Sequence, residues 1–139
     1  MGAEDIAEEL RVAVGRFVRA TRAHAATLPP ARAEALGYLG REGPQTIAWL
    51  AGRHRVRHQS MSRIVGELES LGYVTRAANP SDARGFVIGL TAAGEAALGA
   101  ERAARRAWVA TAIETRLTPA ERAVLLGVPA LLDRLTADD

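Results

Sequence analysis

The 139-residue chain contains no cysteine. That excludes a disulfide framework, a thiolate metal site and oxidant sensing through thiol chemistry. It contains no lysine either, so all 18 of its cations are arginines. A GC-rich coding bias accounts for most of this. Arginine also suits bidentate contacts to guanine and phosphate, and usage alone does not separate the two readings. Aromatic residues are scarce, two each of Trp, Tyr and Phe. Alanine is used heavily, which favours helices packed closely through small side chains. No apolar run is long enough to span a bilayer. The acidic opening MGAEDIAEEL lacks the charged start and apolar run of a signal peptide. A cytoplasmic protein is expected, with no membrane partner. There is no Gly-rich phosphate loop, no nucleophile–base pair at a recognisable spacing and no metal motif, so neither an enzyme nor a cofactor is expected. His54 and His58 stand four apart, a spacing that serves packing or phosphate contact far more often than a metal. The formal charge is only +2, too small for a protein that coats nucleic acid generally.

What is present is helical periodicity and one basic cluster. Ile6, Leu10, Val14, Phe17 and Val18 recur at helical spacing, which predicts one amphipathic helix over 4–27. Pro29-Pro30 ends it, and a second helix carries Ala35, Leu36 and Leu39 up to the Gly43-Pro44 break. A short helix over 46–53 holds Ile47, Leu50 and Ala51, with Trp49 packing near that face. The next helix, from about Arg57 to Leu71, places Met61, Ile64, Val65 and Leu68 on one stripe, and Gly72 stands at its C-terminal cap. Runs 73–77 and 86–90 read as paired strands joined by the long, turn-rich AANPSDARG segment. Thr91 is a fitting N-cap for a helix to about Thr115. Thr118, Pro119 and Glu121 form a capping box for a last helix with Val124, Leu125, Val128, Leu131, Leu132 and Leu135. Pro129 should kink or break that helix. The fold class is therefore mainly α with a small β-hairpin wing. The first and the last two helices have apolar stripes that need a partner surface.

The helix at 57–71 turns Gln59, Ser62, Arg63 and Gly66 away from its apolar stripe, with Ser60 toward the edge. Gln reads adenine and Arg reads guanine through paired hydrogen bonds, while Ser60 and Ser62 allow close approach. Arg53, Arg55, Arg57 and His58 crowd the start of this helix, where phosphate is their natural partner. Glu67 and Glu69 lie toward its other end, a polarity that suits a helix entering a groove by its N-terminal half. In the hairpin, Arg84 is the candidate for a narrow minor groove, and Asp82 either orients an arginine or caps the loop backbone. A solvated basic face is common on any protein. Here the arginines coincide with a helix-turn-helix pattern followed by a hairpin, which favours double-stranded DNA.

Leu50-Ala51, Val56, Ser60, Arg63, Leu68, Gly72 and Arg76, then Asn79-Pro80-Ser81-Asp82-Ala83-Arg84, Leu90-Thr91 and Gly94, resemble the MarR (multiple-antibiotic-resistance regulator) family of bacterial transcription factors. A lone D-x-R is weak; the same motif after this helix and before L-T-x-x-G is specific. The resemblance implies one MarR-like domain over 1–139. A winged helix-turn-helix lobe would span about 30–95, with dimerisation helices at about 4–28 and 92–136. It further implies a homodimer, in many relatives a repressor of a pseudo-palindromic operator, on the nucleoid when bound to DNA. Release would follow binding of a small, often aromatic, ligand between the dimerisation helices and the winged helix. Phe17, His24, Tyr38 and Trp108 are the side chains best suited to such a ligand. The alternative is a winged helix turned to protein partners that has lost operator binding. Four positions depart from the family pattern: His54 for a buried leucine, Arg55 for a turn glycine, Arg57 for a small polar cap, and Asn79 for an acidic residue. Pro129 is also unexpected in the last helix.

Overall fold

A computed structural model describes residues 1–138. It contains α1 (Ala3–Ala25), α2 (Pro30–Glu42), α3 (Ile47–His54), α4 (His58–Ser70), β1 (Val74–Asn79), β2 (Asp82–Leu90), α5 (Ala92–Arg116), α6 (Pro119–Leu126) and α7 (Val128–Thr136). These fall into two compact units, the first spanning Met1–Arg105 and the second starting at Arg106, within α5. Among the described residues no helix is long and apolar enough to cross a membrane.

The first unit is a winged helix-turn-helix preceded by α1. Its core joins Leu36 and Leu39 of α2, Leu50 and Ala51 of α3, the α4 stripe Met61, Ile64, Val65 and Leu68, and Val74, Ile88 and Leu98. Leu36, Leu50, Met61, Val65, Leu68 and Ile88 are fully buried, so α3 and α4 are locked against α2 and the hairpin. Burying one such side chain is worth about 1.5–3 kcal/mol. Gln45 exchanges two backbone hydrogen bonds with Ile88, of 3.0 and 2.7 Å, and adds a bridge on the hairpin's inner edge.

Two helix ends in this unit use the same closing motif. After α4, Tyr73 N–H donates to Leu68 O and Gly72 N–H to Glu69 O, with Gly72 at φ +76°. After α3, Val56 N–H donates to Ala51 O and Arg55 N–H to Gly52 O, with Arg55 at φ +54°. This left-handed closure normally takes glycine, because other side chains crowd the following carbonyl. Arginine thus stands at a left-handed position that favours glycine, and the turn closes with the same pair of bonds as the one after α4.

The hairpin differs from its sequence reading. The AANPSDARG segment is not one long loop. The strands run to Asn79 and from Asp82, joined by Pro80-Ser81, and Asn79 Oδ1 accepts from Ser81 N–H at 3.0 Å. The apparent loop length comes from a bulge. Between the pairs Asn79–Asp82 and Ala78–Phe86, β2 carries Ala83, Arg84 and Gly85 with no counterpart on β1. Bulges of this kind re-aim side chains at the ends of strands.

Thr91 explains the L-T-x-x-G motif. Its hydroxyl donates to Gly72 O and accepts from Gly94 N–H, and its own N–H donates to Tyr73 O. A Cβ on Gly94 would stand 1.9 Å from Tyr73 O.

In the second unit, Thr118 caps α6 with the reciprocal Thr118–Glu121 bonds expected, 2.9 and 3.2 Å. The single last helix of the sequence reading is two helices. The chain breaks at Gly127, and Pro129 falls in the first turn of α7, where a missing N–H costs nothing. Val124, Leu126, Leu131 and Leu135 are all exposed. In the first unit, Ile6, Val14, Phe17 and Val18 of α1 are exposed as well.

Gly94→Ala should destabilise the first unit by about 3 kcal/mol, within the range for forced overpacking against rigid neighbours. Thermal unfolding of the variant against the wild type reads this directly.

Candidate nucleic-acid interface

The N-terminal half of α4 forms one exposed surface. Arg57 is its N-cap and makes no side-chain capping bond, so its guanidinium is not spent on the helix. His58, Gln59 and Arg63 are exposed, and Ser60 and Ser62 are half-buried between them and the core stripe. Arg63 lies 3.9 Å from Glu67, a long pair with a 74 % exposed arginine, so it holds Arg63 only weakly. Glu67 is engaged instead by Arg32 at 3.2 Å, which ties α4 to α2.

Arg53 and Arg55 precede this helix on the turn. The Arg53 guanidinium sits 4.9 Å above the Trp49 ring, a cation–π contact that fixes its direction, while Arg55 is exposed. Trp49 packs edge-on against Tyr38, which confirms it as a packing residue.

At the wing, Asp82 Oδ1 accepts from Arg84 N–H at 3.0 Å. Of the two roles read from the sequence, Asp82 takes the backbone cap. Arg84 stands in the centre of the bulge and is exposed. Phe86, where pairing resumes, is 56 % exposed. The sequence reading missed it as a surface residue, because its β-type run suggested a buried strand; the cross-strand register shows it opposite the small Ala78. The Arg76–Glu69 ion pair at 2.8 Å joins the wing to α4.

A cleft of about 240 Å³ lies among α1, α2 and the first part of α5. Arg22, Arg41, Arg102 and Arg105 line it, against the two carboxylates of Glu34 and Glu101. Tyr38 lines it too, with Arg41 5.1 Å above its ring. Phe17 and His24 are not among the lining residues, and Phe17 is exposed on α1; Trp108 belongs to the second unit. The sequence reading sought aromatic side chains here and passed over the arginines. Arg22 comes from α1, Arg41 from α2, and Arg102 and Arg105 from α5, so no local spacing in the sequence signalled the cluster.

Glu101 is the fixed point of the cleft. It is 1 % exposed, and one carboxylate oxygen accepts from Thr27 N–H at 2.7 Å, from the Thr27 hydroxyl, and from Leu28 N–H at 3.1 Å. The other oxygen accepts from Arg105 at 3.0 Å. Burial alone would push the carboxyl's pKa up; the bonds from Thr27 and Arg105 outweigh it and hold the group below its ordinary value. A depressed carboxylate stabilises the fold fully above its unfolded pKa, and that contribution is lost as pH falls toward the native value.

His54 ends α3 with its backbone at the turn and its side chain only 4 % exposed. Its Nδ1 is 3.6 Å from Glu34, its ring meets Tyr38 edge-on at 5.0 Å, and its buried Nε2 has no hydrogen-bond partner. Burial pushes its pKa down, against the pull of Glu34.

Glu101→Ala strands Thr27, Leu28 and Arg105 and should cost about 2 kcal/mol, with the loss shrinking in acid; urea titrations at neutral pH and at pH 4 check this. Arg55→Gly should stabilise by about 0.5–1 kcal/mol, the left-handed penalty less the added chain entropy of glycine, read as a rise in melting temperature.

The chain matches the MarR family over residues 26–85. It is 35 % identical over 122 residues to an uncharacterized HTH-type transcriptional regulator of Mycobacterium bovis, covering 86 % of this chain and 85 % of that one. Its fold is similar to the crystal structure of a putative transcriptional regulator from Pseudomonas aeruginosa, with a TM-score of 0.84 and 29 % identity over 97 % of this chain and 95 % of that one. A mutant MarR protein from Escherichia coli shares the fold at a TM-score of 0.71 and 20 % identity, over 99 % of this chain and 98 % of the other. The recognition-helix and wing geometry, with these likenesses across most of the chain, leads to one conclusion: the chain belongs to the MarR family of DNA-binding transcriptional regulators and is not an enzyme.

Proposed function

We propose that this regulator is a homodimeric repressor that reads a pseudo-palindromic operator and is released by a small organic anion. The observation that carries the DNA reading is the uncovered N-terminal half of α4, a helix whose C-terminal end is tied to the wing by Arg76–Glu69. Gln59 and Arg63 read base edges there, and Ser60 and Ser62 allow close approach. Arg53, Arg55, Arg57 and His58 meet phosphate. Arg84, held out by the bulge that Asp82 caps, enters the minor groove, and Phe86 beside it supplies an apolar contact to sugar or a thymine methyl. A winged helix turned to protein partners finds no support in this face, which nothing among the described residues of the first unit covers.

The dimer reading rests on apolar faces that each unit leaves exposed, with Phe17 on α1 and Leu126, Leu131 and Leu135 on α6 and α7. Monomeric proteins rarely leave such stripes open, and a second copy covers them by two-fold symmetry. The effector reading rests on the cleft, where four guanidiniums face two carboxylates around Tyr38. A small aromatic acid fits both the charge and the ring. Phe17, His24 and Trp108 remain the other aromatic candidates for contact with it.

Selection of bound duplexes from a random pool, repeated with benzoate-like acids, tests the whole reading. A palindrome with one-turn half-site spacing and acid-dependent release is expected; salt-sensitive binding with no preferred sequence would sink it. On the selected duplex, Arg63→Ala should cost about 1–3 kcal/mol and relax one base position, whereas Arg57→Ala should weaken all sequences alike and flatten the salt dependence. Arg84→Ala should act mainly on sites with A·T-rich flanks. Leu131→Asp should give monomers by sedimentation and abolish palindrome binding.

A further inference from the structure

We propose that His54 is a positioning residue that couples the arginine-lined cleft to the helix-turn-helix turn, and that protonation of its imidazole weakens operator binding. The inference rests on the operator reading above but on different atoms. The ion-pair and ring partners of His54, Glu34 and Tyr38, belong to α2 and not to α4. It is the last residue of α3, and the turn that follows is closed by Arg55 N–H to Gly52 O at 3.3 Å and Val56 N–H to Ala51 O at 3.1 Å. Arg57, two residues later, caps α4. The imidazole is therefore a buried side chain at the joint that aims the recognition helix.

The same imidazole faces the cleft from behind. Its two neighbours on α2, Glu34 at 3.6 Å from Nδ1 and the Tyr38 ring at 5.0 Å, both line that cleft. Whatever moves Glu34 or Tyr38 changes the surroundings of His54. Its Nε2 is buried and unpartnered, so the neutral ring fits the pocket with Nδ1–H toward Glu34. A second proton would put an N–H on Nε2 where no acceptor stands, and a buried donor without a partner is costly. The charged ring is better accommodated in water, and reaching water requires the last turn of α3 to open. Opening that turn displaces the start of α4.

The other charges around His54 do not answer for it. On α2, Arg41 lies over Tyr38, and on α3, Arg53 lies over Trp49, so both add positive charge near the ring. On α4, Arg63 and Glu67 face one another and Arg32, while Glu69 is held by Arg76. The titratable groups of β2, Asp82 and Arg84, stand exposed at the wing tip. Among the described residues, Glu34 is the one carboxylate paired with the imidazole, and it is itself 42 % exposed. The linkage has a definite sign. A histidine whose native pKa is lowered stabilises the closed turn above its unfolded pKa, and that contribution is lost as pH falls below it.

The test measures affinity for the selected duplex at pH 8 and pH 5.5, by fluorescence anisotropy at fixed ionic strength. The readout is the ratio of the two affinities. Wild type should lose severalfold more affinity in acid than His54→Leu or His54→Gln, in which no imidazole is left to protonate. Equal ratios for wild type and both His54 variants would overturn the proposal. The parallel measurement is NMR titration of the free protein. The His54 ring should titrate below the ordinary value for histidine, and the α4 amides from His58 to Arg63 should shift with the same midpoint, moving further down in Glu34→Gln. A ring titrating at the ordinary value, or α4 amides indifferent to it, would also overturn the coupling. If no duplex is bound specifically at any pH, the operator reading fails, and the amide titration still decides the coupling.

Discussion

The direction of α4 depends on one shared core. Leu36, Leu50, Met61, Val65, Leu68 and Ile88 meet with no exposed surface, and each comes from an element that alone could not hold its position. Helices as short as α3 and α4 gain little from their own hydrogen bonds and owe their stability to such packing. Because the stripe of α4 is fully engaged, its opposite face has only one way to point. The exposure of Gln59 and Arg63 is thus a consequence of core packing, not a separate property of those residues.

Outside that core, polar contacts set the details. Thr91 joins the end of α4 to the start of α5, and Gly94 lets α5 approach the Tyr73 carbonyl. Glu101 gathers the α1–α2 connection onto α5. A carboxylate buried this completely is tolerable because every oxygen has a donor. His54 lacks that completeness on one ring nitrogen, which makes it the less settled of the two buried titratable groups.

Much of this was legible in the sequence, and the reasons are local. The period of Met61, Ile64, Val65 and Leu68 reported the buried face of α4, and Gly72 reported its end. The Thr118–Glu121 box and the disruptive Pro129 were readable because each acts within one turn of helix. The wing was read less well, since a bulge and a long loop have the same composition and differ only in pairing. The Glu101 clamp joins residues more than seventy positions apart, and no periodicity carries such a contact. His54 looked like a departure from a leucine pattern; that it remains buried depends on Tyr38 and Glu34, which only folding brings to it. The arginines of the cleft were invisible among many others until α1, α2 and α5 placed them together.

The Arg76–Glu69 pair has a consequence for what kind of DNA this molecule prefers. It fastens β1 to α4 beyond the reach of the hydrophobic core, so wing and recognition helix behave as the two jaws of a caliper with a set opening. A caliper does not adapt to its object. Under the proposed operator reading, in which the jaws straddle two adjacent grooves, the adjustment would fall on the duplex, which would have to narrow or bend to the preset span. Selectivity would then come partly from base steps that neither jaw touches, through how readily they yield.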